Sequence, residues 1–398
     1  MCSIGEDDFG DEGGAHAMPV NEKIIFEDTD GTCRKCGASA AVKLNFKEAQ
    51  CRDCFINHVR HKFRANLGST KILPRDCSVL TVFNGSAGSV CLLDLVIGSL
   101  ELNNHKRLHF THHVLFLDDF LPQAQNLETT VEKIRTIVDQ FQVKIHFISL
   151  AGSSSDPESI TTNRDAFIAQ FKLNKEMLSK FREEFSNQST WEDFLVQRKK
   201  NLIRKAAKYL NCNHVFLPDI TTDLAADVLS NVILGRGASV AFDVGFVDDR
   251  IPDIKLLRPM RDLTHQEVDN YVRIKDLEYL KAPCRKSMES IQSLTWKFVG
   301  DLQANFSSTV STIFRTGNKF APKASSDGIC NFCKCNLDWR SSKTLAAVDF
   351  SRSISNEFIP DNTRPFSPSS HLPTVPDAEK YCYACQKFLL ESSESLIE

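Results

Sequence analysis

The chain of 398 residues lacks a long apolar run and carries little excess charge of either sign. No segment approaches the roughly 18 consecutive apolar residues that a membrane-spanning helix needs. The N-terminal segment, residues 1–30, is acidic and has no apolar core, so it does not have the pattern of a secretory signal peptide. A net charge of -3 argues against a generally basic nucleic-acid binder, although a local basic face is compatible with it. These absences favour a cytoplasmic protein without a membrane partner.

The middle of the chain is poor in cysteine, whereas its two ends are rich in it. This distribution of the 14 cysteines is typical of metal ligation rather than of a disulfide framework. Near the N-terminus, two Cys-x-x-Cys knuckles can each place two thiolates on one zinc ion, at Zn–S distances of about 2.3 Å. Unligated or redox-active thiols are the alternative. The predicted zinc ligands are Cys33, Cys36, Cys51 and Cys54.

The second cysteine cluster offers five thiols for four places around one ion. Regular knuckle spacing favours Cys330 and Cys333 and leaves Cys335 as the spare thiol, although Cys335 in place of Cys333 stays open. The later knuckle, Cys382 and Cys385, can complete the set because the entropy of closing a loop grows only slowly with its length. Four thiolates leave no open position on a metal, so both predicted zinc sites are structural rather than catalytic.

Strand-like and helix-like segments alternate between the two clusters. Such alternation predicts an α/β fold with a doubly wound parallel sheet. The predicted strands are 78–83, 113–117, 143–149 and 214–217, with helices at 131–141 and 191–210 among the segments between them. The predicted division is a disordered acidic segment at 1–30, a zinc ribbon and basic helical arm at 31–76, the α/β domain at 77–300, and a C-terminal helix and zinc ribbon at 301–398 with a flexible insertion at 351–378.

A turn of small residues follows the first predicted strand and precedes an apolar helix. A strand, such a turn and a helix N-terminus form a phosphate cradle, because backbone N–H groups and the helix dipole point at the anion. This turn carries no charged side chain, so it can hold an anion but offers nothing to place a metal ion or drive a reaction. It consists of Asn84, Gly85, Ser86, Ala87, Gly88 and Ser89.

Two predicted helices present basic faces. One follows the N-terminal knuckles and the other precedes the strand at 214–217, and in each the apolar residues at helical spacing leave cations on the opposite side. These faces can grip RNA phosphates, and the alternative is that both are ordinary solvated surfaces. The candidate RNA contacts are Arg60, Lys62, Arg64, Lys199, Lys200 and Arg204.

Histidines and aspartates near the predicted strands give little support for catalysis. His112, His113 and His146 lie within strand-like runs, and no nucleophile lies near them in the sequence. Asp118 and Asp119 follow a strand and are interpreted as residues of the ligand-facing edge of the sheet. No catalytic residue is predicted.

Several motifs occur in the order that they have in the PP-loop tRNA thiolases. Besides the knuckles, the basic arm and the small-residue loop, segment 222–231 resembles that family's second motif, and segment 258–264 resembles its Arg-Pro-Leu/Met stretch. Over roughly residues 30 to 390 the chain resembles the non-catalytic branch, the cytoplasmic tRNA 2-thiolation protein 2 family. The resemblance implies an α/β domain of the PP-loop, adenine nucleotide alpha hydrolase-like type.

The loop departs from the pattern of the active thiolases. The active loop reads Ser-Gly-Gly-x-Asp-Ser and holds the pyrophosphate of ATP. Here Asn84, Ser86 and Gly88 stand where that family has Ser, Gly and Asp. The resemblance therefore implies a pseudo-enzyme.

The cysteines of the α/β domain also depart from that pattern. Active members carry a Cys-x-x-Cys on the helix near residues 191–205 and a third cysteine, which together can ligate an iron–sulfur cluster. No cysteine occurs here between Cys91 and Cys212, and Cys284 alone cannot hold a cluster. No iron–sulfur cluster is therefore expected.

The resemblance implies a subunit that forms a heterodimer with the catalytic tRNA thiolase. Sulfur would come from a thiocarboxylated ubiquitin-related modifier, and the target would be the wobble uridine (mcm5s2U) of cytosolic tRNAs for Lys, Glu and Gln. Two alternatives stay open, an active ATP-dependent tRNA sulfurtransferase and a zinc-ribbon RNA-binding adaptor. ATP turnover by the purified chain would indicate the first, and tRNA thiolation that persists without the protein would indicate the second.

Overall fold

One six-stranded sheet organises the part of the chain that a computed structural model describes, residues 31–44, 49–103, 107–118, 127–150, 160–280, 290–320, 328–337 and 380–391. The strand order is β3-β2-β1-β4-β6-β5, and only β5 runs antiparallel to its neighbour. The strands are β1 Cys77–Phe83, β2 Phe110–Leu117, β3 Ile145–Ile148, β4 His214–Phe216, β5 Val247–Ile251 and β6 Ile254–Leu257.

Helices connect the strands and extend beyond the sheet. Several begin at side-chain caps, which satisfy otherwise unpaired amides of the first turn. Asn187 accepts from the amide of Ser189 at 2.8 Å, and Thr264 forms a reciprocal capping box with Glu267. The helices are α1 Arg52–Thr70, α2 Ala87–Leu100, α3 Leu127–Asp139, α4 Arg164–Glu184, α5 Gln188–Tyr209, α6 Thr221–Ile233, α7 Val240–Val244, α8 His265–Lys275, α9 Ile291–Asn305, α10 Ser307–Gly317 and α11 Tyr383–Glu391.

Both faces of the sheet are covered, which confirms the doubly wound α/β prediction. One face of the central strands packs against α2 and α3, and the opposite face packs against α5. Strand β1 is buried over its last five residues, as its nearly continuous apolar sequence requires of a central parallel strand. The direction of winding reverses between β1 and β4, so the loop after β1 lies at the switch point where ligands of such sheets bind.

The N-terminal helix α1 lies on the α/β domain. Its apolar residues Phe55, Val59 and Phe63 are fully buried in the same core as parts of α2 and α8. A separate apolar cluster joins α6, α7, α9 and α10. Among the described helices, none combines the length and apolar character needed to cross a membrane. The predicted acidic segment 1–30 and insertion 351–378 lie outside the described residues, and the predicted domain boundaries stay predictions.

Candidate functional site

Four cysteines at the N-terminus come together into one potential metal site. Their sulfur atoms all lie within 4.8 Å of one another, and Sγ of Cys36 is 3.5 Å from Sγ of Cys51. A zinc ion with Zn–S bonds of about 2.3 Å requires sulfur–sulfur edges of about 3.8 Å, so the donor set fits zinc. Hydrogen bonds from backbone amides, above all that of Cys51, lower the pKa of Cys33 to about 6 and favour the thiolate that a metal needs.

The local chain folds around this site for simple reasons. Gly37 has φ of 77°, a left-handed conformation that suits glycine, and its amide donates to the carbonyl of Cys33 at 2.7 Å. Cys51 is the N-cap of α1 and accepts from the amide of Cys54, which places the second knuckle on the first turn of the helix. The N-terminal site is thereby fixed to a helix that is itself packed on the core.

The C-terminal cluster also forms a four-thiol site. Cys330, Cys333, Cys382 and Cys385 lie with their sulfurs within 4.8 Å of one another, and Sγ of Cys333 is 3.6 Å from Sγ of Cys382. Cys335 lies outside the set. Its sulfur accepts a hydrogen bond of 2.8 Å from Nη1 of Arg250. The fifth thiol therefore has a partner of its own and lies apart from the four-sulfur set.

Buried charges attach the C-terminal unit to the α/β domain. Arg236 binds Asp193 of α5 through two nitrogens, at 2.7 and 2.8 Å, and its Nη2 lies 3.5 Å from Sγ of Cys385. Arg250 bridges Asp243 and Asp248 and also contacts Cys335. The sequence analysis did not predict this network of arginines and aspartates. The charged residues of β5 do not by themselves indicate which distant residues they pair with.

The small-residue loop keeps the shape of a phosphate cradle but is hydrogen-bonded to itself. Oδ1 of Asn84 accepts from the amide of Ser86 at 3.1 Å. Oγ of Ser86, the N-cap of α2, accepts from the amide of Ser89 at 3.3 Å. The amides of the loop and of the first helical turn are the groups that would bind an anion. Two of them already have side-chain acceptors, and an anion would have to displace these.

Leu280 lies directly over the loop. Its amide donates to the carbonyl of Gly85 at 2.8 Å, and a Cβ at Gly85 would come within 2.6 Å of the Leu280 side chain. Gly85 also has φ of 84°, so glycine is required here both for the turn and for the close approach. An aliphatic side chain therefore occupies the space beside the turn on this side.

Two charged residues that the sequence analysis singled out, the strand-end Asp118 and Arg258 of the thiolase-like segment 258–264, make structural contacts in this chain. Asp118 is buried at the end of β2 and accepts from Oγ of Ser149 at 2.6 Å and from the amide of Leu150 at 2.7 Å, which ties β2 to β3. Asp119 lies outside the described residues. Arg258 is fully buried and binds Asp219 at 2.9 Å.

On α1, the predicted tRNA contacts differ in their surroundings. Arg60 is exposed and Arg64 is partly exposed. Lys62 instead binds the buried carboxylate of Glu267 at 2.8 Å and the carbonyl of Asp262 at 2.9 Å. Lys62 therefore joins α1 to α8, and its ammonium group is only partly available to a phosphate.

On α5, the structure reduces the number of predicted tRNA contacts that can reach a phosphate. Lys199 is partly exposed, whereas Lys200 binds the buried Asp243 at 2.8 Å. Arg204 is buried, with 4% of its surface exposed, and binds Asp248 at 2.8 Å. The prediction of a phosphate contact is corrected for Arg204, because a buried and paired guanidinium cannot reach RNA in this structure.

Comparisons with known proteins identify relatives of the whole chain. The family model described as Cytoplasmic tRNA 2-thiolation protein 2 matches residues 290–387. A protein of that name from Drosophila mojavensis is 39% identical over 413 residues, covering 100% of both chains. Another from Anopheles gambiae is 43% identical over 364 residues, covering 89% of this chain and 87% of the relative.

A solved structure shows the same fold at low sequence identity. The U34-tRNA thiolase NcsA from Methanococcus maripaludis, solved with its [4Fe-4S] cluster, aligns with a TM-score of 0.57 and 16% identity. The alignment covers 77% of this chain and 92% of NcsA. Among the described residues, the only groups of metal-ligating side chains are the two terminal four-cysteine sets.

Proposed function

Since the chain belongs to the cytoplasmic tRNA 2-thiolation protein 2 family, we propose that it is the non-catalytic subunit of a cytoplasmic tRNA thiolation complex. It forms a heterodimer with a catalytic PP-loop thiolase. The complex 2-thiolates the wobble uridine of cytosolic tRNAs for Lys, Glu and Gln, with sulfur from a thiocarboxylated ubiquitin-related modifier.

One observation carries the non-catalytic assignment. The chain keeps the PP-loop fold, yet its loop has no carboxylate and its amides are bonded to Asn84 and Ser86 under the side chain of Leu280. Binding and activating ATP requires phosphate-facing amides and a ligand for the metal ion that accompanies the phosphates. The loop offers no carboxylate for that metal ion, and the hydroxyls of Ser86 and Ser89 already make hydrogen bonds to the backbone. The chain therefore contributes structure and surface rather than the chemical step.

The two four-cysteine sets support structural zinc in this proposal. All eight residues are thiols, which favours zinc over hard cations, and neither set leaves an open position for a substrate. A bound zinc supplies folding free energy by tying distant segments together. No iron–sulfur cluster is proposed for this chain.

The proposed tRNA contacts that the geometry still supports are Arg60, Arg64 and Lys199, which retain solvent-exposed surface. Each phosphate contact contributes to affinity without regard to base sequence and increases its dependence on salt. Lys62 and Lys200 remain weaker candidates because carboxylates already hold their ammonium groups.

Wobble-uridine analysis tests the function directly. In cells that lack the chain, mass spectrometry of tRNAs for Lys, Glu and Gln should show loss of 2-thiouridine, and re-expression should restore it. Thiolation that persists without the chain would favour an RNA-binding adaptor with another role.

ATP turnover tests the assignment of the chain as a non-catalytic subunit. The purified chain, incubated with ATP and tRNA, should produce AMP and pyrophosphate at the rate of a buffer control. Turnover clearly above that control would favour an active ATP-dependent sulfurtransferase.

A further inference from the structure

A cleft of about 490 Å³ lies between α5, the turn that joins β5 to β6, and the C-terminal four-cysteine unit. Its floor is apolar and includes Leu202, Ile254 and Phe332. Its volume is within the range of small-ligand sites, which is about 300–1,000 Å³. The C-terminal unit forms one wall, and Nδ2 of Asn201 on α5 donates to the carbonyl of Phe332 at 3.1 Å across that boundary.

The rim of the cleft is positively charged. Lys205 and Lys208 are exposed on the last turns of α5. Lys334 lines the same cleft from the C-terminal unit, where its Nζ donates to the carbonyl of Asn331. All three lysines line the same cleft, so these cations share one small region. Among the described residues that line the cleft, Asp253 is the one carboxylate. Like charges held this close favour an anionic ligand.

Lys334 reaches the cleft because of the metal-type turn around it. It lies between Cys333 and Cys335 and has φ of 61°, a left-handed conformation fixed by the turn, with its amide donating to the carbonyl of Cys330 at 3.0 Å. The C-terminal unit therefore does more than cover α5, because it places Lys334 in the same cleft as Lys205 and Lys208.

The cleft lies at the edge of the sheet opposite the degenerate loop. Asn213 and Asp253 line it and immediately precede β4 and β6, which mark the amino ends of these strands. The loop at 84–89 follows the carboxyl end of the parallel strand β1. The two sites are therefore separate, and a ligand of the cleft does not meet the loop.

We propose that this cleft binds the phosphate backbone of RNA, with Lys205, Lys208 and Lys334 as the phosphate contacts. A nucleotide unit fits, because cations line the rim for phosphate and an apolar floor is available to ribose or base. The identification of that RNA as tRNA rests on the proposed function. Free nucleotides carry the same chemistry and are distinguished by the experiment.

Salt-dependent tRNA binding by the purified full chain tests the cleft. The variant combines Lys205→Ala and Lys208→Ala, which keep good helix formers on α5. The matched control combines Lys297→Ala and Lys319→Ala, two exposed lysines that lose the same charge and do not line the cleft. Metal content and circular dichroism verify folding. Lys334→Asn is a third variant, because asparagine tolerates the left-handed conformation.

The cleft variant should weaken tRNA binding about tenfold or more near 0.15 M salt and flatten the log–log salt slope by about two units, and Lys334→Asn should flatten it by about one. The control should retain most of the affinity. Equal losses in variant and control, or no binding by the unsubstituted chain, would overturn the proposal. If the cleft variant lost binding of AMP but bound tRNA as tightly as the unsubstituted chain, the proposal would also be overturned, because the ligand would then be a free nucleotide.

The same variants separate this inference from the proposed function. If the unsubstituted chain restores 2-thiouridine in cells that lack it and the cleft variant restores it equally with normal tRNA affinity, the cleft inference fails and the proposed function stands. If the unsubstituted chain restores no 2-thiouridine, the proposed function fails, and binding by the cleft is judged from the salt titration alone.

Discussion

The two four-cysteine units are attached to the same α/β domain by different kinds of contact. The N-terminal unit continues into α1, whose residues Phe55, Val59 and Phe63 are fully buried against α2 and α8. The C-terminal unit lies along α5 and is joined to it by apolar contacts, with the rings of Phe332 and Phe194 stacked at 5.9 Å. Buried charged groups add to these contacts, with Arg236 between Asp193 and Cys385. Both attachments have an apolar contact, and the C-terminal one adds buried charged groups around Arg236 and Arg250.

This difference predicts how each attachment responds to change. Apolar burial is non-directional, and it weakens in proportion to the area lost, by about 25 cal/mol per Å². A buried ion pair is directional, and loss of one member leaves the other charge without compensation. A small apolar substitution in the N-terminal attachment should therefore cost less free energy of unfolding than removal of one buried charge from the C-terminal attachment.

Loss of a metal ligand should have the largest effect in both units. Cys33→Ser and Cys330→Ser should each remove one bound metal ion and unfold the unit concerned, because structural zinc contributes on the order of 10 kcal/mol to folding. Metal analysis combined with limited proteolysis measures both. Cys33→Ser should leave α1 docked through its apolar face, whereas Cys330→Ser should also expose the region around Arg236.

The spare thiol provides the control for this comparison. Cys335→Ser should keep both metal ions, because Cys335 contacts Arg250 and lies outside the four-sulfur set. A metal ion lost from Cys335→Ser, or retained in Cys330→Ser, would show that the ligand set is wrong.

Sequence reasoning predicted the parts of this structure that depend on local pattern. The knuckle spacings predicted both four-cysteine groups, and the alternation of apolar runs predicted the parallel sheet. It did not predict the β5–β6 hairpin, whose Val-Asp-Asp-Arg-Ile strand has poor strand propensity. The tertiary pairs of Asp248 with Arg204 and of Arg250 with Asp243 stabilise this strand.

The absence of tertiary contacts from the sequence pattern also explains the error at Arg204. Helical spacing shows which residues share a face but not what covers that face, and β5 and the C-terminal unit cover part of the basic side of α5. The cations at the end of the helix, Lys205 and Lys208, stay exposed beside Lys334, which is distant in sequence. Only the three-dimensional arrangement brings these three lysines together.

The second prediction concerns the buried charge of the C-terminal attachment. Arg236→Ala should lower the free energy of unfolding by about 3–5 kcal/mol, because Asp193 stays buried without its bidentate partner. Urea unfolding measures the change. Arg135→Ala is the control, since its pair with Asp139 is exposed and should cost under about 1 kcal/mol. Equal effects of the two substitutions would remove the contrast between the two attachments.

The third prediction concerns the apolar attachment. Val59→Ala should lower the free energy of unfolding by about 2 kcal/mol, from about 0.8 kcal/mol for each buried carbon that is removed plus a small cavity term. The exposed neighbour Asn57→Ala is the control and should change stability by less than about 0.5 kcal/mol. A loss for Val59→Ala as large as that for Arg236→Ala would mean that the apolar attachment is no more tolerant than the charged one.

The smallest effect concerns pH and the sheet that carries both units. Burial, followed by the neighbouring charge of His113, lowers the pKa of His112 to about 4, and its Nε2 lies 2.9 Å from Oγ1 of Thr81. Above pH 6.5 the residue is neutral in both states and has no effect. As pH falls from 6.5 towards 4, the unfolded chain binds the proton first, so stability decreases, by about 1.4 kcal/mol at pH 5.5. His112→Gln should remove this part of the acid dependence when Tm is measured between pH 7.5 and 5.5, whereas the exposed His61→Gln should not. An unchanged acid dependence in His112→Gln would show that other groups carry the loss, and His146 and His214, whose pKa values are also lowered by burial, would be the next residues to substitute.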